Sequence, residues 1–134
     1  MKNEISVGGI IFSLEKEKIN YLLLKYPSLK RNRSYWGFAK GRKEKGEKEM
    51  DTLKREIEEE TGLKKIEVLK GFRETIHYFF WENKEKIFKR VIFYLVFAKE
   101  KKVKISFEHE EARWFPFKEA IGLLTFENYR SLLE

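Results

Sequence analysis

Cysteine is absent from this 134-residue chain, so disulfides, thiolate metal sites and cysteine nucleophiles are excluded. Two histidines, His77 and His109, are the whole supply, which argues against a zinc site. Glutamine is missing while lysine and glutamate abound, a balance compatible with a thermophilic source without establishing one. No apolar run is long enough to span a bilayer, so no membrane association is expected. The first six residues include an early acid, Glu4, and do not read as a signal peptide. A soluble cytoplasmic protein is the default expectation.

What is present describes a folded domain. Hydrophobic residues make up 42% and aromatic residues 16%, which a disordered chain would not carry. The length fits one domain, residues 1–134, able to bury a core without staples. A formal charge of +7 suits an anionic partner: nucleotide, nucleic acid or acidic membrane surface. The lysines lie along the whole chain, so an ordinary solvated surface explains them equally well.

Apolar runs at Ile5–Phe12 and Ile19–Tyr26 predict two strands around a turn at residues 15–18. Residues 27–34 read as a loop, 35–38 as a short aromatic strand, and 40–47 as a glycine- and lysine-rich loop. Lys48–Thr61 reads as a helix, with Gly62 placed as its C-terminal cap. Residues 71–81 and 89–98 predict a hairpin turning at residues 82–85. Glu108–Glu111 reads as an acidic loop, followed by an expected strand at 112–115 and short helices at 117–124 and 126–133. Strands on both sides of a helix imply a mixed sheet packed by helices.

The central helix carries the chemistry. At about 100° per residue, Met50, Leu53 and Ile57 fall within roughly 60° and form the buried arc. Glu60 lies about 20° from Leu53, Glu56 about 60° away on the same side, and Glu59 a further step round. Three carboxylates are thus crowded beside the core, where each like-charge pair costs about 0.2–0.5 kcal/mol even when exposed. A solvated acidic face explains Glu58 and Glu49 but suits Glu60 poorly. A divalent cation turns the repulsion into coordination, and oxygen donors without Cys or His select Mg²⁺ or Mn²⁺. Arg55, beside Glu56 and four residues before Glu59, is placed to orient a carboxylate by a bidentate contact; the alternative is an ordinary surface ion pair.

The wider spacing then resembles a known signature. Gly41, Glu47 and the run Arg55-Glu56-Ile57-Glu58-Glu59-Glu60-Thr61-Gly62-Leu63 match the Nudix box, G-x5-E-x7-R-E-U-x-E-E-x-G-U (U a bulky aliphatic), at all nine specified positions in 23 residues. The resemblance implies an α/β Nudix fold, with a mixed β-sheet sandwiched between α-helices. It also implies hydrolysis of a nucleoside diphosphate linked to another group. By position Glu56, Glu59 and Glu60 are implied metal ligands with the Gly41 carbonyl, Arg55 orients Glu56, and Glu47 is a loop anchor or outer ligand.

Outside the box the chain resembles the asymmetrical diadenosine tetraphosphate hydrolases. Trp36-Gly37-Phe38-Ala39-Lys40-Gly41 is similar to their W-x-x-P-K-G segment, with Ala39 in place of proline and Arg42 where histidine is frequent. Ser106-Phe107-Glu108-His109, continuing to Arg113-Trp114, resembles their S-x-E-H-x-x-x-R-W stretch. The resemblance makes Lys40, Arg42 and Lys89 phosphate contacts and Tyr78 a nucleobase platform. Phe126 is a second aromatic, and Glu108 an added metal ligand or the base instead of Glu56. Plainer readings remain beside these. Lys40 and Lys89 are solvated lysines, Glu108 a solvated turn, Tyr78 core, and His109 structural; for Phe126 the core is favoured. The implied reaction is diadenosine tetraphosphate to ATP and AMP, and a monomer is slightly favoured. The alternatives are removal of pyrophosphate from an RNA 5′ end, or a silent Nudix RNA-binding module, which the intact box argues against.

Overall fold

The computed structural model describes residues 2–27, 34–104 and 109–134. Its strands are β1 (Lys2–Glu15), β2 (Lys18–Tyr26), β3 (Tyr35–Gly37), β4 (Ala39–Arg42), β5 (Ile66–Glu82), β6 (Glu85–Ala98) and β7 (Glu111–Pro116). The helices are α1 (Glu49–Thr61), α2 (Phe117–Leu123) and α3 (Glu127–Leu133). The sheet runs β3-β2-β1-β6-β5, with β1 and β6 parallel and the other pairs antiparallel. One edge of β1 is divided: residues 6–9 carry β4, residues 12–15 carry β2. That division seats β4 in the sheet beside the first half of β1, whose other edge carries β6.

Helices cover both faces, which is why β1 reads as a continuous apolar run and not as an alternation. One core holds Val7, Ile11, Leu22, Leu24 and Val96 against Leu53 and Ile57 of α1. The other holds Ile10, Leu23, Phe38 and Phe93 against Ala120, Leu124 and Tyr129. Leu53 and Ile57 are fully buried, each worth about 1.5–3 kcal/mol of apolar transfer. The Asp51 carboxylate accepts the Lys48 N–H at the start of α1. Gly62 ends the helix at φ 77°, its N–H returning to the Glu58 carbonyl.

The structure departs from the sequence expectations in definite places. Residues 39–42, assigned mainly to a loop, form β4, because Gly8 and Gly9 of β1 let a second backbone lie close. An added Cβ on Gly8 would meet the Phe93 ring at 2.7 Å, the Ala39 carbonyl at 2.8 Å and Lys40 Cβ at 2.9 Å. β1 starts at Lys2, since pairing with β6 recruits polar residues that periodicity would leave out. β5 begins at Ile66, and its register shifts between Val68 and Arg73, where Gly71 takes φ 93°. The loop expected at 27–34 lies mostly outside the described residues.

Gly8→Ala is expected to cost about 1–3 kcal/mol, the usual scale of overpacking. Chemical denaturation measures it. An unchanged midpoint would mean that β4 is not seated on β1 at this point.

Candidate active site

Arg55 organises the acidic helix. Its Nε and Nη2 donate to the two Glu47 oxygens at 2.9 Å each, and Nη1 donates to Glu56 at 2.7 Å and to Glu59 at 3.4 Å. Nη2 also reaches the Arg42 carbonyl at 3.0 Å, tying helix to strand. A planar fork can serve carboxylates on two sides at once; a lysine cannot. Glu47 additionally accepts the Glu44 N–H at 2.8 Å and the Thr52 hydroxyl at 3.0 Å. The Arg55 bonds and then the Glu44 amide hold the Glu47 carboxyl down at about 2.

Glu56 lies against Gly41. A Cβ on Gly41 would sit 1.9 Å from the Glu56 carboxyl carbon, so the glycine is the cradle of that carboxylate. Burial pushes the Glu56 carboxyl up, Glu60 and Glu59 add to it, and Arg55 opposes. Glu60 is buried deeper than its place on the helical wheel implied, at 5% exposure. It accepts the Lys40 backbone N–H at 2.8 Å, and its other oxygen lies 2.9 Å from His109 Nε2. His109 is itself buried, edge-on to Tyr26. Glu58 points to solvent, as expected, within 3.8 Å of Lys64.

Among the described residues no three carboxylates or histidines already converge on one point. Arg55 stands between Glu56 and Glu59, and Glu60 is turned to Lys40 and His109. The donor set nonetheless fits a hard divalent cation. It consists of carboxylate oxygens that repel one another, next to a strand carbonyl at a glycine. Glu108 lies outside the described residues.

A cavity of about 520 Å³ opens on the sheet face away from α1, lined by Tyr35, Lys40, Tyr78, Phe80, Phe126, Asn128 and Tyr129. Three residues singled out in the sequence, Lys40, Tyr78 and Phe126, therefore share one wall. Phe126 is 44% exposed and edge-on to Tyr35 and Tyr129, which corrects the expectation of a core position. The helix it was expected to open starts at Glu127, so Phe126 caps the helix and faces the cavity. Tyr78 is half-buried and serves both readings, packing on the core below and lining the cavity above. Lys40 is held down to about 8 by burial and by Lys89, with Glu60 opposing. Lys89 is lowered by burial and by Arg42, whose guanidinium pairs with the buried Glu4. The three cations thus form one field beside the cavity.

Sequence reasoning missed Tyr35, Phe80, Asn128 and Tyr129, which come from β3, β5 and α3. It also took Glu49 for a solvated acid. Glu49 instead accepts bonds from Arg73 at 2.9 and 3.1 Å and from the Tyr94 hydroxyl, pinning the start of α1 to β5 and β6. No local pattern signals partners 24 and 45 residues away.

Glu47 makes an acid-sensitive contribution to stability. Its folded carboxyl titrates at about 2, below the ordinary 4.5. The contribution is therefore present above about 4.5 and is lost as pH falls through about 2. The stability difference between wild type and Glu47→Gln should shrink over that window. A difference independent of pH would contradict the Arg55–Glu47 pairing.

Comparison with known proteins places this geometry. The NUDIX domain model matches residues 2–133. The asymmetrical bis(5′-nucleosyl)-tetraphosphatase of Sus scrofa is 30% identical over 129 residues, 93% of this chain and 83% of its own length. That of Rattus norvegicus is 36% identical over 104 residues, 75% and 68%. A crystal structure of a C. elegans Ap4A hydrolase binary complex superposes with a TM-score of 0.81 at 26% identity, covering 97% of this chain and 92% of the other. The NUDIX domain of Shewanella oneidensis NrtR, complexed with ADP ribose, shares the fold at a TM-score of 0.75 and 15% identity, over 99% and 85%. With its box intact and nearly its whole length matched, the chain belongs to the Nudix family.

Proposed function

We propose that this Nudix pyrophosphohydrolase cleaves diadenosine tetraphosphate asymmetrically, to ATP and AMP, with Mg²⁺ or Mn²⁺. The observation that carries the reading is the double role of Lys40. Its side chain lines the aromatic cavity while its backbone N–H holds Glu60. A nucleobase held among Tyr35, Tyr78 and Phe126 is thereby set at a fixed offset from the carboxylates. The relatives named for this activity support the choice of substrate.

Each side chain has a task in that reaction. Glu56, Glu59, Glu60 and the Gly41 carbonyl would hold the cation. Once bound, it neutralises phosphate charge and lowers the pKa of attacking water. Arg55 fixes Glu56 in one rotamer, so that the carboxylate is oriented before substrate arrives. Lys40, Lys89 and Arg42 face the phosphate chain as cations, and burial strengthens the attraction of the first two. Glu56, whose carboxyl is pushed up, would take the water's proton; Glu108 is the other candidate. Because the base platform lies to one side of the carboxylates, water enters at one fixed phosphorus; the bond that breaks is the anhydride between the first and second phosphates of the held nucleotide, with AMP and ATP as the two fragments.

Incubated with diadenosine tetraphosphate and Mg²⁺, the protein should yield ATP and AMP in equal amounts, and chelation should stop it. Two ADP per substrate, or consumption of RNA 5′-triphosphate without turnover of the dinucleotide, would overturn the substrate. Full activity after metal stripping would overturn the carboxylate site.

Tyr78→Ala should raise KM for the dinucleotide more than it changes kcat, since stacking acts in ground and transition states alike. A fall in stability of about 3–5 kcal/mol with KM unchanged would instead make Tyr78 a core residue alone.

A further inference from the structure

The far end of the β5–β6 hairpin has two unlike faces. Tyr78, Phe80 and Lys89 point to the cavity side. By strand alternation the cross-strand pairs His77–Arg90, Phe79–Phe88 and Trp81–Lys86 point to the opposite side, the side that carries α1. Beyond the start of α1 that side is uncovered: Phe79 is 53% and Trp81 60% exposed. The Phe79 and Phe88 rings lie 4.9 Å apart, His77 lies 5.8 Å from Phe88, and the Lys86 ammonium sits 4.6 Å from the Phe79 ring. The acids of the hairpin end, Glu74, Glu82 and Glu85, alternate to the cavity side. Glu49, on the α1 side, is bonded to Arg73 and Tyr94. The patch is therefore aromatic and cationic together.

We infer that this face binds single-stranded nucleic acid, outside both the aromatic cavity and the carboxylate cluster of α1 and in addition to the activity proposed above. Exposed rings offer stacking surfaces to any base, and Lys86 and Arg90 offer charge to the adjoining phosphates. Trp81 follows Phe79 by two residues on the same face, about 7 Å along the strand, so two bases can stack in succession. Charge complementarity decides for this occupant. A second copy docked by a two-fold axis would set the same cations against themselves. A chain of formal charge +7 attracts a polyanion over the whole approach.

The test is fluorescence anisotropy of a labelled 12-nucleotide oligouridylate lacking any 5′ phosphate, titrated with the full chain over a salt series. Binding should weaken linearly in log salt. Phe79→Ala/Trp81→Ala should lose at least about tenfold in affinity. Lys86→Glu and Arg90→Glu should each flatten the salt slope by about 0.7 per contact removed. All these variants should hydrolyse the dinucleotide like wild type, which separates failure here from failure of the proposed reaction. No binding at low salt, equal binding by wild type and variants, dimerisation that buries Trp81, or binding to anionic vesicles alone would each overturn the inference.

Discussion

The site depends on one guanidinium. α1 presents Glu56, Glu59 and Glu60 within two turns, and like charges so placed repel. Arg55 spans the conflict, binding Glu47 on the loop, Glu56 and Glu59 on the helix, and the Arg42 carbonyl on β4. Every direction of its planar fork is used, and three separate segments are fixed by it. Without it the loop from β4 to α1 loses its anchor, and Glu56 loses its defined position against Gly41. A cation bound to the carboxylates would take over part of the same neutralising role, so protein and metal act on one electrostatic problem.

The sheet solves the second problem, which is reach. Gly8 and Gly9 allow β4 to lie close on β1, and β4 alternates between faces. Gly41 turns to α1 and the carboxylates, while Lys40 turns to the aromatic cavity and Arg42 pairs with Glu4 on that side of the sheet. A four-residue strand thereby joins the carboxylate cluster on one side to the aromatic cavity on the other. The hairpin β5–β6 repeats the device further out, with cavity residues on one face and the aromatic–cationic patch on the other.

The helix was legible in the sequence because its signals are local: apolar spacing, the Gly62 cap and an unbroken run of helix formers. The hairpin was legible for the same reason, since Asn83 and Lys84 adopt the positive φ of a tight turn between two β-rich runs. The box residues were legible through their spacing alone. What could not be read there depends on long-range pairing. β4 is a strand only because β1 accepts it, and Phe126 faces a cavity whose walls come from distant elements. Glu49 is no solvated acid because Arg73 and Tyr94 arrive from the sheet. Glu60 sits deeper than a helical wheel shows, because the Lys40 amide and His109 close over it.

The close packing of Glu56 on Gly41 offers the most direct test of the account. A methyl group there competes for the space of the carboxylate, whose side chain can swing away without unfolding the helix. The measurement is kcat for Gly41→Ala at saturating Mg²⁺ and dinucleotide, beside a melting curve and Glu58→Gln as control. The account predicts a fall of at least about 10²-fold in kcat, the scale of losing one charge-stabilising group, with melting little changed and Glu58→Gln active as wild type. Full turnover by Gly41→Ala would contradict it.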